Sequence, residues 1–147
     1  MHVRTASTND AELLAGFLIA EAREAEGREI AVERAKATVR VALAEPSLAR
    51  YWIAQDNGVT LGAIEVTREW SDWNGAHYWW IQFVYVVPER RGTGVVRGLI
   101  QHVRDELVRE RGVELRLLVH PENTRAIRAY EKIGFQRLPY VAMVLRD

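Results

Sequence analysis

The chain has 147 residues, 48% hydrophobic and 27% charged, the make-up of one compact domain spanning 1–147 with no room for a second. It has no Cys, which excludes disulfide frameworks, thiolate zinc sites and cysteine nucleophiles and makes a reducing cytoplasm the natural compartment. The 20 basic residues balance the 20 acidic ones, which argues against a dedicated nucleic-acid binder, and the apolar run from Leu13 to Ala20 is too short to cross a membrane.

His2 to Ala6 reads as a short strand. Asn9 with Glu12 three residues on offers a capping pair for a helix carrying Leu13, Leu14, Phe17 and Leu18. A second helix is predicted over Ala31–Ala44, with Val32, Ala35, Val39 and Leu43 on one face and Pro46 beyond its end. Tyr51–Gln55 and Val59–Arg68 form a hairpin around Asp56-Asn57-Gly58. His77–Val87, apolar, aromatic and β-branched, suits a central strand buried on both faces. After a Gly-bearing loop, Val96, Leu99, Ile100, Val103 and Leu107 repeat at helical spacing, closed by Gly112. Val113–Val119 is then a strand parallel to the central one, because a helix joins them. Asn123–Ile133 is a shorter helix stopped by Gly134, and Phe135–Leu138 and Val141–Leu145 are two closing strands around Pro139. The fold class is α/β with a mixed sheet and helices on both faces.

Chemistry concentrates where the central strand meets its helix. Two glycines, Gly92 and Gly94, let the backbone turn tightly and approach a ligand, and the free N–H groups of the helix start are suited to phosphate. By itself such a Gly-x-Gly is equally a tight connection. It lacks the Gly-Lys-Ser/Thr ending of a P-loop and the third glycine of a dinucleotide fold. Arg90, Arg91, Arg97, Arg125 and Arg128 gather around this region, either as phosphate ligands or as a solvated helix surface. His2, His77, His102 and His120 are scattered without metal-ligand spacing, so no metal is expected.

The run Val84-Tyr85-Val86-Val87-Pro88-Glu89-Arg90-Arg91-Gly92-Thr93-Gly94-Val95-Val96-Arg97, with Asn123, Ala126, Tyr130 and Gly134-Phe135 downstream, resembles the GCN5-related N-acetyltransferases over essentially the whole chain. That resemblance implies acetyl-CoA as co-substrate. Val84, Tyr85 and Val86 would pair with the pantetheine arm, and Arg91, Gly92, Thr93, Gly94, Val95, Val96 and Arg97 would cradle the pyrophosphate. Asn123 would contact the cofactor and Tyr130 would protonate the leaving thiolate. A phenol with an ordinary pKa of about 10 is protonated at neutral pH and able to do so; the plainer reading of Tyr130 is a core aromatic. Two positions depart from the family pattern: Val96 stands where Gly or Ala is usual, and Leu118 where some members carry a catalytic Glu.

The general base is left to Glu65, His120 or Asp72, or to ordered water, with solvent exposure and strand-end capping as the plainer roles of Glu65 and His120. Four of the five tryptophans fall between Glu69 and Trp80. Trp70 and Trp73 with Asp72 would wall a pocket for a cationic amine, or the rings merely cover a sheet edge. The expectation is acetyl transfer to a primary amine of a small molecule or peptide, with no nucleic-acid or membrane partner and with a homodimer left open. The competing reading is a CoA or acyl-CoA binding module without turnover.

Overall fold

The structure, a computed structural model, describes residues 1–147. Its elements are β1 (His2–Thr5), α1 (Ala11–Glu26), α2 (Val32–Ala44), β2 (Arg50–Asp56), β3 (Val59–Ser71), β4 (Ala76–Val86), α3 (Val95–Arg109), β5 (Leu115–Leu117) and α4 (Thr124–Ile133). The five strands form one mixed sheet in the order β1-β2-β3-β4-β5, antiparallel except for the parallel β4/β5 pair. No helix is long and apolar enough to cross a membrane.

Strand alternation divides the core between two faces. Trp52, Leu61, Ile64, Trp79 and Ile81 pack against Val95, Leu99, Ile100, Val103 and Leu107 of α3. Tyr51, Ile53, Ala63 and Phe83 pack against Leu14 and Phe17 of α1 and Ala35 and Val39 of α2. Each fully buried Leu, Ile or Val contributes about 1.5–3 kcal/mol, so the helical periodicities expected for α1 and α3 also orient those helices. Val32, expected on the buried stripe of α2, is 53% exposed, because Ala35, Val39 and Ala42 carry the contact.

The hairpin turn forms at Asn57 and Gly58, both with positive φ (50° and 79°), as a two-residue turn requires. The entry to α1 differs from the expected cap. Asp10, rather than Glu12, closes it by accepting from the Ser7 N–H at 2.8 Å. The Arg4 guanidinium reaches from β1 to grip Asp10 at 2.8 and 2.9 Å, and that contact decides between the two candidate caps.

β4 does not keep one parity. Glu65 faces Phe83 while Val66 faces Ile81, so Gln82 is an extra, bulged residue. Trp79 and Ile81 therefore face α3, whereas Phe83 and Tyr85 face α1 and α2. The strand is apolar on both sides because it changes sides. Gly62 permits the close approach of β3 to the end of β4: a Cβ there would collide with the Tyr85 carbonyl oxygen and lie 3.1 Å from Val86 Cα.

The C-terminal expectation fails. β5 is three residues rather than seven, and neither Phe135–Leu138 nor Val141–Leu145 is a strand. A strand exists only with a partner, and nothing within the single chain pairs with β5 on its outer side.

Candidate active site

The parallel pairing of β4 with β5 stops at Ile81↔Leu117, at the bulge. From Gln82 to Val86 the edge of β4 that faces away from β3 has no neighbouring strand, so its outward backbone groups, apart from the Val86 carbonyl that accepts from Arg91, are left without a strand partner. The sheet is thus opened beside the residues Val84, Tyr85 and Val86.

The loop after β4 leads directly to α3. Gly92 and Gly94 have φ of 75° and 91°, and a Cβ on either would meet nothing within 4 Å. The positive φ disfavours any side chain, and the space above the loop is clear. Gly94 precedes α3 without a side-chain cap. The first backbone bond of the helix is Gly98 N–H to the Gly94 carbonyl, so the N–H groups from Gly92 to Arg97 have no acceptor in the chain. Thr93 Oγ1 donates to the Arg90 carbonyl at 2.5 Å and holds the loop, while Arg90 pairs with Asp56 at 3.6 Å. Val96 turns toward the α3 core, leaving the loop open despite its departure from the family pattern. A row of unsatisfied donors at the positive end of a helix, with clear space above it, fits a pyrophosphate.

Arg91 is engaged within the chain. Its Nε donates to the Val86 carbonyl at 2.9 Å, one terminal nitrogen donates to Glu24 of α1 at 2.8 Å, and the guanidinium lies 5.4 Å from the Tyr85 ring centre. It ties the end of β4 to α1. Arg97 reaches the Lys132 carbonyl at 3.4 Å, joining the first turn of α3 to the last turn of α4. Asn123 caps α4, its Oδ1 accepting from the Ala126 N–H at 3.2 Å, which leaves its amide nitrogen as a donor. Arg125 and Arg128 are exposed.

Tyr130 is half-buried on α4, edge-on to Phe135 with ring centres 5.6 Å apart. Burial, and then the charge of Glu21, push its phenol up from the ordinary value. Glu65 is half-buried on β3 and accepts from the Tyr51 hydroxyl at 3.1 Å. Burial raises its carboxyl, the Tyr51 hydrogen bond offsets part of that rise, and Glu21 reinforces it. Glu21 is itself raised by burial and by Glu26 and Glu24. Tyr130 and Glu65, 65 positions apart in the sequence, therefore lie in the field of one carboxylate on α1. That carboxylate was not among the residues singled out from sequence. Its signal is nevertheless present: Leu14, Phe17, Leu18 and Glu21 share one helical stripe, and a glutamate on an apolar stripe marks a buried charge.

His120 is exposed, and its Nδ1 accepts from the Glu122 N–H at 3.1 Å, holding the turn before α4. Trp70, Asp72 and Trp73 belong to the tip of the β3–β4 hairpin. Trp70 donates from Nε1 to Asp72 at 3.1 Å and stands edge-on to His77. Trp73 is 94% exposed. Five residues of extended strand, about 17 Å, separate Trp70 from Glu65. Arg111 and Gly112, just past the C-terminal end of α3, line a small cleft with Trp70, whereas the glycine loop lies at the other end of that helix, about 22 Å away. The hairpin tip and the Glu65–Tyr130 region are two places.

The open mixed sheet with its glycine-bearing entry to α3 is an acetyltransferase fold. The chain belongs to the acetyltransferase (GNAT) family, whose model matches residues 12–135. A protein described as a possible acetyltransferase from Clostridium difficile 630 is 28% identical, with a TM-score of 0.94 over 99% of this chain and 97% of its own. AAC(6')-Iy, solved with the bisubstrate analogue CoA-S-monomethyl-acetylneamine, shares the fold at 19% identity and a TM-score of 0.81, covering 99% and 97% of the two chains. A predicted acetyltransferase with acetyl-CoA from Clostridium acetobutylicum does so at 20% identity and 0.79, covering 98% and 95%. No curated protein matches.

Proposed function

We propose that this protein transfers an acetyl group from acetyl-CoA to a primary amine, with Tyr130 as general acid. One observation carries the reading: the sheet opens where β4/β5 pairing ends at Ile81, immediately before a loop whose N–H groups have no acceptor. The neighbours solved with acetyl-CoA and with a CoA-based bisubstrate analogue support the choice of co-substrate.

Acetyl-CoA, when bound, supplies an activated acetyl group and a sulfur leaving group. The N–H groups from Gly92 to Arg97 bind its pyrophosphate, with the amide of Asn123 as a further donor. The free edge of β4 at Val84–Val86 orients the amide-bearing arm. Tyr130 holds at its hydroxyl the proton that the departing sulfur takes. Glu65 accepts the proton that the amine loses as its nitrogen bonds to the acetyl carbon. We assign this role to Glu65 over His120 because Glu65 shares the field of Glu21 with Tyr130, while His120 Nδ1 is engaged at its turn. Glu21 and Glu65 also attract a cationic amine. Trp70, Asp72 and Trp73 are left to the outer part of an acceptor long enough to reach the hairpin tip.

Incubation with acetyl-CoA and a panel of small amines and peptide N-termini, following free thiol and product mass, tests the proposal. Amine-dependent thiol release is expected. Tight acetyl-CoA binding with no turnover on any amine would favour the binding-module reading, and absence of acetyl-CoA binding would overturn both.

A further inference from the structure

At the end of α3 remote from the glycine loop, positive charge is left without a partner. The three carboxylates nearest Arg111 in sequence are taken by other arginines: Glu106 pairs with Arg109, Glu110 with Arg50 and Glu114 with Arg116. Arg111 itself is exposed and holds a φ of 58°, just after the helix cap, where left-handed backbone ordinarily takes Gly. The glycine stands one residue later for a different reason: a Cβ on Gly112 would lie 2.9 Å from Leu107 and 3.1 Å from the indole nitrogen of Trp79. An arginine kept in a strained conformation, beside a glycine that could have relieved it, points to a use for its guanidinium.

Arg111 and Gly112 line a cleft of about 200 Å³ with Arg68, Trp70, Trp79 and Glu110. Glu110 is the one carboxylate of the lining, and Arg50 already grips it at 2.6 and 3.1 Å while lying over the Trp79 ring, 4.5 Å from its centre. Arg68 comes only within 3.8 Å of Glu110, beyond a hydrogen bond. Trp79 is 1% exposed, yet its indole N–H has no acceptor in the chain, and a buried indole ordinarily finds one. Arg50 Nε is the one unpartnered side-chain nitrogen sealed from solvent; the Trp79 nitrogen, beside Gly112, opens on the cleft instead. The last carbonyls of α3, which would repel an anion, are occupied: those of Glu106, Leu107 and Val108 accept from the N–H groups of Glu110, Gly112 and Arg111.

We propose that this cleft binds a small dianion, the phosphate of a phosphomonoester or a dicarboxylate, at a site independent of acetyl transfer. Arg68 and Arg111 supply the two charges, their planar forks match pairs of oxygens, and the Trp79 N–H donates to a further oxygen. Trp70, exposed and edge-on to His77, offers its ring to the carbon part of the ligand. A space of this size takes an anionic head and a few carbons and is too small for a nucleotide.

Inorganic phosphate and malonate, each titrated into the isotope-labelled full chain at constant ionic strength and mildly alkaline pH, test the proposal. The readout is the indole N–H resonance of Trp79, which separates this cleft from the glycine loop, where phosphate would also bind. A saturable shift of that resonance at about millimolar anion or below is expected, and the tighter of the two anions tells a phosphate ligand from a dicarboxylate. Arg111→Gly removes the guanidinium and adopts the positive φ without strain, so the variant should fold as stably as the wild type and bind at least about tenfold more weakly. Arg68→Gln should weaken binding in the same way. The proposal is overturned by the absence of a saturable shift with either anion, by the same shift with sodium chloride, or by wild-type affinity in Arg111→Gly.

Discussion

Glu21 occupies a stripe that its helix otherwise fills with Leu14, Phe17 and Leu18; burial raises both Tyr130 and Glu65, and the charge of Glu21 adds to that rise. A raised phenol stays protonated across the neutral range, which suits a proton donor, and a raised carboxyl is a stronger base once ionised. Tyr130→Phe keeps the ring against Phe135 and removes only the donor. Turnover is expected to fall about 10²-fold with acetyl-CoA affinity unchanged, checked by thiol release and calorimetry. Equal turnover would return Tyr130 to a packing role. For Glu65 the sign of the pH dependence follows from its raised carboxyl. The base form is lost as pH falls through a value above the ordinary carboxylate range, so kcat/KM should rise with pH through that value and then level off. At alkaline pH it should fall again as Tyr130 ionises. Glu65→Gln is expected to lower kcat/KM by about 10-fold or more and to abolish the acid limb; a pH profile that keeps this limb would assign it to another group.

At the scale of elements, the entry to α3 is held by backbone rather than by side chains. Thr93 bonds to Arg90, Arg91 bonds to Val86, and the donors from Gly92 to Arg97 are left over. Gly94→Phe places a ring in the clear space above the loop and strains a residue at φ 91°. Acetyl-CoA binding should weaken at least tenfold, about 1.4 kcal/mol. Calorimetry on the folded variant showing wild-type affinity would remove the phosphate from this loop. Arg91, expected to meet the cofactor, has partners within the chain as well. Glu24 is 67 positions away, and only the packing of α1 against β4 brings it within reach.

On the scale of the whole molecule, α3 separates the glycine loop from the tryptophan-bearing hairpin tip. Trp73 at 94% exposure covers nothing, so Trp73→Ala should leave the thermal midpoint within about 2 °C, as a surface change of under 0.5 kcal/mol would. A rise in the amine KM with the acetyl-CoA KM unchanged would then be lost acceptor contact, expected for extended acceptors and not for short ones. Unchanged constants across the panel would detach the hairpin tip from the acceptor.

Up to Ile133, apart from the length of β5 and the cap of α1, the residues declared their elements locally. Helical spacing located α1, α2 and α3, Asn57-Gly58 located the hairpin, and Gly92 and Gly94 with Asn123, Tyr130 and Gly134-Phe135 located the candidate site, because periodicity and turn chemistry act over a few residues. The tertiary structure decided what depends on a partner far away in sequence. Arg4 selected Asp10 over Glu12 as the cap. The register against β3 bulged Gln82 and turned Phe83 to the other face of the sheet. The end of pairing at Ile81 opened β4, and the packing of α1 brought Glu21 into range of Glu65 and Tyr130. Val141–Leu145 has the composition of a strand yet forms none, since a strand, unlike a helix, takes its hydrogen bonds from another segment.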